Sequence, residues 1–374
     1  MNEKIFIQIA SYRDSELIKT LENCIENAEY PDRLRFGICW QHGSDENVDK
    51  WMNDPRFKII SVHFSQSKGA CWARHLLQQF FDDEEFTLQL DSHHRFVKGW
   101  DKLLIEMYKD LQLKGFNKPL ITAYLPSYEP STDPIGRVLV PWKLKIDKIT
   151  KDKMILFNSD YISDHQNLTF PIKGYLYSAH FAFSSGQFVT EIPHDPNLYF
   201  TGEEMNITIR AFTHGYDIFH PHILIAWHEY TRKHRIKVWD DDTEWWKKDV
   251  SSKKHYNKLF RGEITNEKYC LGTKRTLEHF KEATNVDLLD IYCSDKKEFY
   301  VEREREKKEE QKEEQKEMSI EWKNWIKTNL DLGVGKEVII KLLTDSQFSK
   351  ELIDKELIDK ESIDKELIDK ELNY

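Results

Sequence analysis

The chain has 374 residues, 39% of them hydrophobic and 13% aromatic, enough to bury one large domain or two. Charged residues make up 32% and the net charge is -10, which argues against a global field for nucleic acid or membrane. Five cysteines without a CxxC pair read as free thiols, and no apolar run reaches the length of a membrane span, so a soluble, cytoplasmic protein is expected.

Residues Lys4 to Ala10 (KIFIQIA) predict a buried first strand. A helix follows, capped by Asp14 or Ser15, with Leu17, Leu21, Cys24, Ile25 and Ala28 on one face; Pro31 breaks it. Arg35 to Gln41 and Phe57 to Phe64 predict the next strands, and Gly69 to Phe81 a helix. Phe86 to Leu90 is a fourth strand that ends abruptly in polar residues. Such alternation predicts a largely parallel sheet with helices on both faces. Trp100 to Leu111 reads as helix and Pro119 to Tyr124 as strand. Arg137 to Lys145 and Met154 to Phe157 suggest a local hairpin or insertion. Gly174 to Ser184 alternates and reads as one strand, Pro193 to Phe200 as a loop, and Glu203 to Phe212 as a helix stopped by Gly215. Tyr216 to Trp227 is strand-rich and delivers His228.

Three regions are expected: a catalytic α/β domain over 1–262, a helical margin over 263–300, and a charged tail over 301–374. Residues 318–345 fit one or two amphipathic helices with Trp322 and Trp325 on one side. The pentapeptide repeat from Lys350 to Asp369 rotates its Leu-Ile pairs by about 140° per copy on a helix, so no continuous apolar stripe results. The repeat reads as a low-complexity appendage with no part in the chemistry.

Asp91 and His93 stand two apart at the carboxyl end of the fourth strand, so they project together from the sheet edge where open α/β sheets bind ligands. A carboxylate and an imidazole form half of a divalent-metal site, set against a capping Asp and a surface His. His228 is the leading third ligand; His220 and His222 are rivals flanking Pro221. Glu203 and Glu204 at a helix start either favour its dipole or bond a substrate hydroxyl. Arg13, Arg74, Arg232 and Arg235 are candidate anion contacts, with a solvated arginine the default for Arg74. No P-loop, GxGxxG, HExxH or GxSxG occurs, so ATPase and dinucleotide readings lack a motif.

Taken together, SYRD, KGACWAR, LQLDSHHRFVKGWD, IPHDPNLYFTGEE and WHEYTR fall in an order and spacing that resembles the cytoplasmic polypeptide N-acetylglucosaminyltransferases of the hydroxyproline type. That family is distantly similar to the mucin-type polypeptide GalNAc transferases. The resemblance spans roughly residues 4 to 235. It implies a GT-A fold, a Rossmann-like mixed sheet flanked by helices, and metal-dependent transfer from a UDP-sugar with retention. It implies Asp91, His93 and His228 as ligands of manganese or another divalent cation. It further implies Arg13, Asp45, Arg74, Glu204 and Arg232 at the substrate, and Glu203 beside Asp91 in catalysis, with no carboxylate nucleophile assigned. HHR after DS, and an arginine four residues after His228, depart from the pattern.

The expectation is therefore a transferase moving GlcNAc from a UDP-sugar to a hydroxyl of a protein or peptide acceptor (hydroxyproline, Thr or Ser). No nucleic-acid or membrane partner is expected, and the tail is a candidate for self-association. A non-haem iron oxygenase using the same three ligands, and a non-catalytic nucleotide-sugar binding module, are the alternatives.

Overall fold

Strand β1 (Ile5–Tyr12) is apolar on both faces, and that pattern places it inside a sheet covered on both sides. Its odd residues Ile5, Ile7 and Ile9 share one core with Leu17, Leu21 and Cys24 of helix Leu17–Asn27 and with Trp100, Leu104 and Leu111 of helix Trp100–Leu113. On the opposite face, Cys39 packs with Ala73 and Leu77 of helix Ala70–Gln78. A further core joins Leu120 and Ala182 to Ile207 and Ala211 of helix Glu203–Thr213. The computed structural model describes residues 3–43, 48–231, 235–264, 266–293, 318, 320–345, 348, 350 and 352–357. The chain divides into two compact units, Met1–Lys297 and Glu298–Tyr374.

The remaining strands are β2 (Leu34–His42), β3 (Phe57–His63), β4 (Phe86–Leu90), β5 (His94–Phe96), β6 (Pro119–Thr122) and β7 (Trp142–Ile149). They continue with β8 (Ile155–Tyr161), β9 (Ile172–Lys173), β10 (Phe181–Ser185), β11 (Asp217–His220) and β12 (Ala226–His228). An eight-stranded sheet runs β3-β2-β1-β4-β10-β6-β11-β9. Its first four strands are parallel. β10 then enters antiparallel between β4 and β6, and β9 lies antiparallel at the edge. β6 and β11 run with the first four, so six of the eight strands share one direction: the sheet is the largely parallel, helix-flanked one expected, made mixed by β10 and β9. β7 and β8 form the expected hairpin, and β5 pairs with β12 in a separate ribbon.

Two local readings are corrected. Helix Leu17–Asn27 starts after Glu16, and neither Asp14 nor Ser15 is its cap; Asp14 instead accepts from the Glu16 N–H at 2.9 Å. The predicted strand over 174–184 forms only from Phe181 onward. Side chains take the backbone donors ahead of it. Tyr177 N–H bonds Thr208 Oγ1 at 2.9 Å, Ser178 N–H bonds Thr122 Oγ1 at 2.9 Å, and Ala179 N–H bonds Glu204 Oε1 at 3.1 Å. With those donors satisfied, no ladder is needed.

Beyond the sheet, helices Trp245–Phe260, Leu277–Thr284 and Leu288–Cys293 pack through stacked Phe260 and Tyr292 and through Phe280 against Phe212. In the second unit, helices Ile320–Asp331 and Lys336–Asp345 share a core of Met318, Ile326, Ile339 and Leu343. Leu352, Ile353 and Leu357 of the pentapeptide repeat join that core, so its first copies are packed rather than a bare appendage. Residues 301–317 and 358–374 lie outside the described residues. Among the described residues, no helix is long and apolar enough to cross a membrane.

Thr122 is the hinge of the 174–180 segment. Its hydroxyl donates to Phe181 O at 2.6 Å while accepting from Ser178 N–H. Thr122→Val keeps the shape and strands that buried N–H, a loss of about 1–3 kcal/mol. A lower urea midpoint with an unchanged slope is the expected result.

Candidate active site

β4 stops at Leu90, and the chain turns through Asp91, Ser92 and His93 before β5. β5 pairs antiparallel with β12 in a register that sets His94 opposite His228. That ribbon carries a residue 137 positions away to the end of β4. The backbone around it is pinned: His228 N–H bonds Pro126 O at 3.0 Å, and Glu229 N–H bonds His93 O at 3.2 Å.

Asp91, His93 and His228 each present a ligand atom, and these atoms lie within 4.8 Å of one another. Nε2 of His228 is 3.4 Å and Nε2 of His93 is 3.7 Å from the same Asp91 Oδ2. Burial holds His228 well below the usual imidazole range, outweighing its bond to Asp91, so the ring is neutral. Burial works to raise Asp91, but the His228 bond and the Arg74 charge outweigh it and keep the carboxylate ionised. One ionised oxygen facing two imidazole nitrogens is a donor set that fits a divalent cation. The rival His220 is turned away: its Nδ1 donates to Thr122 O at 2.6 Å. His222 does not line the cavity described below.

Two further histidines crowd the ligands. His180 stacks on His228 with centroids 4.1 Å apart, and its Nε2 accepts from Leu125 N–H at 3.1 Å. His94 lies 5.0 Å from the His228 ring. Burial, then neighbouring histidine charge, keeps both His94 and His180 well below the usual range.

Arg74 is buried, not solvated. Its guanidinium donates to Asp91 Oδ1 at 2.6 Å and, through Nη1, to Glu203 Oε1. One cation thus serves two carboxylates, and the Glu203 carboxyl is left raised by its burial. Glu203 and Glu204 do more than favour a helix dipole. Glu204 accepts from Tyr124 OH at 2.7 Å and from Ala179 N–H, and burial pushes its carboxyl up to about 7. Gly202, with φ 94°, permits the tight entry to this helix; a Cβ there would meet Met154 Cε at 2.7 Å.

Asp91, His93, His228, Arg74, Glu203 and Glu204 all line one cavity of about 510 Å³. Arg13 does not; it pairs with Asp241 at 2.9 Å and lies over the Phe64 ring. Asp45 and Arg232 lie outside the described residues. Arg235 lines the cavity and reaches Asp14 Oδ2 at 3.1 Å. Sequence reasoning missed Asp14, Tyr124 and His180 as cavity residues. Asp14 sits in the loop after β1, where its spacing suggested only a helix cap. Tyr124 and His180 carry no local signal, because strand pairing brings them in.

The family model "Glycosyltransferase (GlcNAc)" matches residues 4–52 and 45–290. No curated protein matches the chain. A crystal structure of GalNAc-T7 with UDP, GalNAc and Mn2+ is 15% identical, with a TM-score of 0.49, over 79% of this chain and 58% of that one. S. aureus TarS 1-349 in complex with UDP-GlcNAc is 13% identical, with a TM-score of 0.40, over 70% and 74%. The chain thus spans little more than half of the GalNAc-T7 chain. With the family model matched over most of its length, the chain belongs to the Glycosyltransferase (GlcNAc) family.

Proposed function

We propose that this chain is a metal-dependent glycosyltransferase that moves GlcNAc from UDP-GlcNAc to a hydroxyl on a protein acceptor, hydroxyproline, Thr or Ser. The observation that carries the reading is the Asp91, His93 and His228 cluster, set at the carboxyl edge of the sheet and opening into a cavity of about 510 Å³. The family membership supports sugar transfer. Asp91, His93 and His228 would hold a divalent cation, manganese in our reading, which would supply neutralising charge for the leaving diphosphate. Arg74 holds Asp91 ionised and aimed through its Oδ1, leaving Oδ2 for the cation. Glu203, which shares the Arg74 guanidinium with Asp91, and Glu204 line the same cavity and are assigned to the sugar hydroxyls. The free cysteines support a reducing, cytoplasmic setting.

The test needs no knowledge of the acceptor. UDP release is measured from a panel of UDP-sugars, in manganese and in EDTA, with water as acceptor. Manganese-dependent release from UDP-GlcNAc is expected. No release and no UDP binding would turn the reading toward an iron oxygenase; binding without release would turn it toward a non-catalytic module. Asp91→Ala and His228→Ala should each reduce release to the EDTA level with an unchanged circular dichroism spectrum. Normal release in both would sink the ligand assignment.

Glu204 predicts a pH dependence of stability. Its folded pKa of about 7 lies above the usual 4.5, so the folded state binds the proton more tightly. The resulting stabilisation is complete below about 4.5 and is lost as pH rises to about 7, on the order of 3 kcal/mol in all. Glu204→Gln, which keeps a partner for Ala179 N–H and Tyr124, should be more stable than the parent at pH 8 and lack this slope. Urea midpoints across pH 4.5–8 check it.

A further inference from the structure

We infer that Asp14 is a positioning residue that fixes the His93 imidazole with Nδ1 protonated and Nε2 free toward the metal site. The inference rests on the metal reading above and adds a residue to it. The loop after β1 makes the placement possible. Arg13 takes a left-handed φ of 43° while its N–H bonds Gln41 O at 2.9 Å. This kink sends the Arg13 side chain out to Asp241 and turns Asp14 back under the end of β4.

The Asp14 carboxylate is buried and has both oxygens engaged. Oδ1 accepts from Glu16 N–H at 2.9 Å. Oδ2 accepts from Ser92 Oγ at 2.7 Å and from His93 Nδ1 at 2.8 Å. A carboxylate oxygen is an acceptor only, so the proton on that bond belongs to Nδ1. Arg235 Nη1 also approaches, but at 2.6 Å from Nδ1 and 3.1 Å from Nε2 of the same ring it lies across the ring face, not in line with either nitrogen. Asp14 is therefore the in-line partner. Nε2, 3.7 Å from Asp91 Oδ2, is left as the lone-pair nitrogen. This is the carboxylate–histidine–metal arrangement, in which the outer carboxylate sets the tautomer, aims the ring and raises its basicity.

The two ligand histidines are held by different means. Among the described residues His228 Nδ1 has no hydrogen-bond partner, and its ring is braced by stacking on His180. His93 has the carboxylate. Loss of Asp14 should therefore weaken the site through one identified ligand.

The experiment has two arms. The first uses the metal-free parent with labelled histidine and reads the His93 tautomer by long-range 1H–15N correlation. The Nδ1–H form supports the inference; the Nε2–H form overturns it, with no variant required. The second titrates manganese by the loss of its free-ion electron paramagnetic resonance signal. Asp14→Asn should bind manganese about 10–100-fold more weakly. Ser92→Ala, which removes another donor to the same oxygen and leaves the imidazole bond, should stay within about threefold of the parent. Equal affinity of Asp14→Asn and the parent would overturn the positioning role alone. A parent that binds no manganese would overturn the metal reading, and this role with it.

Discussion

One buried charge organises the site. The Arg74 guanidinium lies among side chains that exclude water, where an unpaired cation would cost several kcal/mol. It is satisfied by two carboxylates from different elements: Asp91 at the end of β4, and Glu203, 129 residues after Arg74, at the start of a helix. The helix that carries Arg74 is itself fixed at its entry. Gly69 has φ 103° and approaches Tyr199 so closely that a Cβ would come within 2.4 Å of Tyr199 O. The three elements therefore meet in one arrangement. Its consequence for chemistry is a division of labour on Asp91: Oδ1 faces Arg74 and Oδ2 faces the two imidazoles.

The sequence makes one half of this legible. β4 has the bounds read from its apolar run, and a polar break after a buried strand places Asp91 and His93 at the sheet edge. Local geometry suffices there, because the strand carries its own signal. His228 and His220 illustrate the other half. Both follow strand-like runs, and Pro221 beside His220 favours His228 without deciding between them. What separates them is pairing: β12 joins β5 beside the metal candidates, whereas β11 joins β6 and turns His220 to Thr122 O. Pairing between distant strands is a long-range fact that a local pattern does not encode.

Arg74 and Asp14 depart from their local rules for a different reason. Each rule is sound: arginine on a helix is usually solvated, and aspartate before a helix usually caps it. Here the rule yields to partners that arrive from afar, Glu203 for one and His93 for the other. The segment over 174–180 behaves likewise. Its alternation is that of a strand, but Thr208, Thr122 and Glu204 offer its N–H groups side-chain oxygens first. In the second unit the pentapeptide repeat offers no continuous apolar stripe, yet none is required. Leu352, Ile353 and Leu357 fill a short core with two preceding helices.

The histidine cluster completes the electrostatic logic. Four imidazoles, those of His93, His94, His180 and His228, lie with successive centroids between 4.1 and 6.1 Å apart. If all were protonated, their mutual repulsion in a buried setting would be prohibitive. Burial answers this by holding His94, His180 and His228 neutral. Neutral rings stack without repulsion, brace one another, and leave Asp91 as the ionised ligand among them. The pocket is thus built to present lone pairs and a single carboxylate oxygen to whatever cation enters, while Arg74, held on the far oxygen, keeps that carboxylate from taking a proton instead.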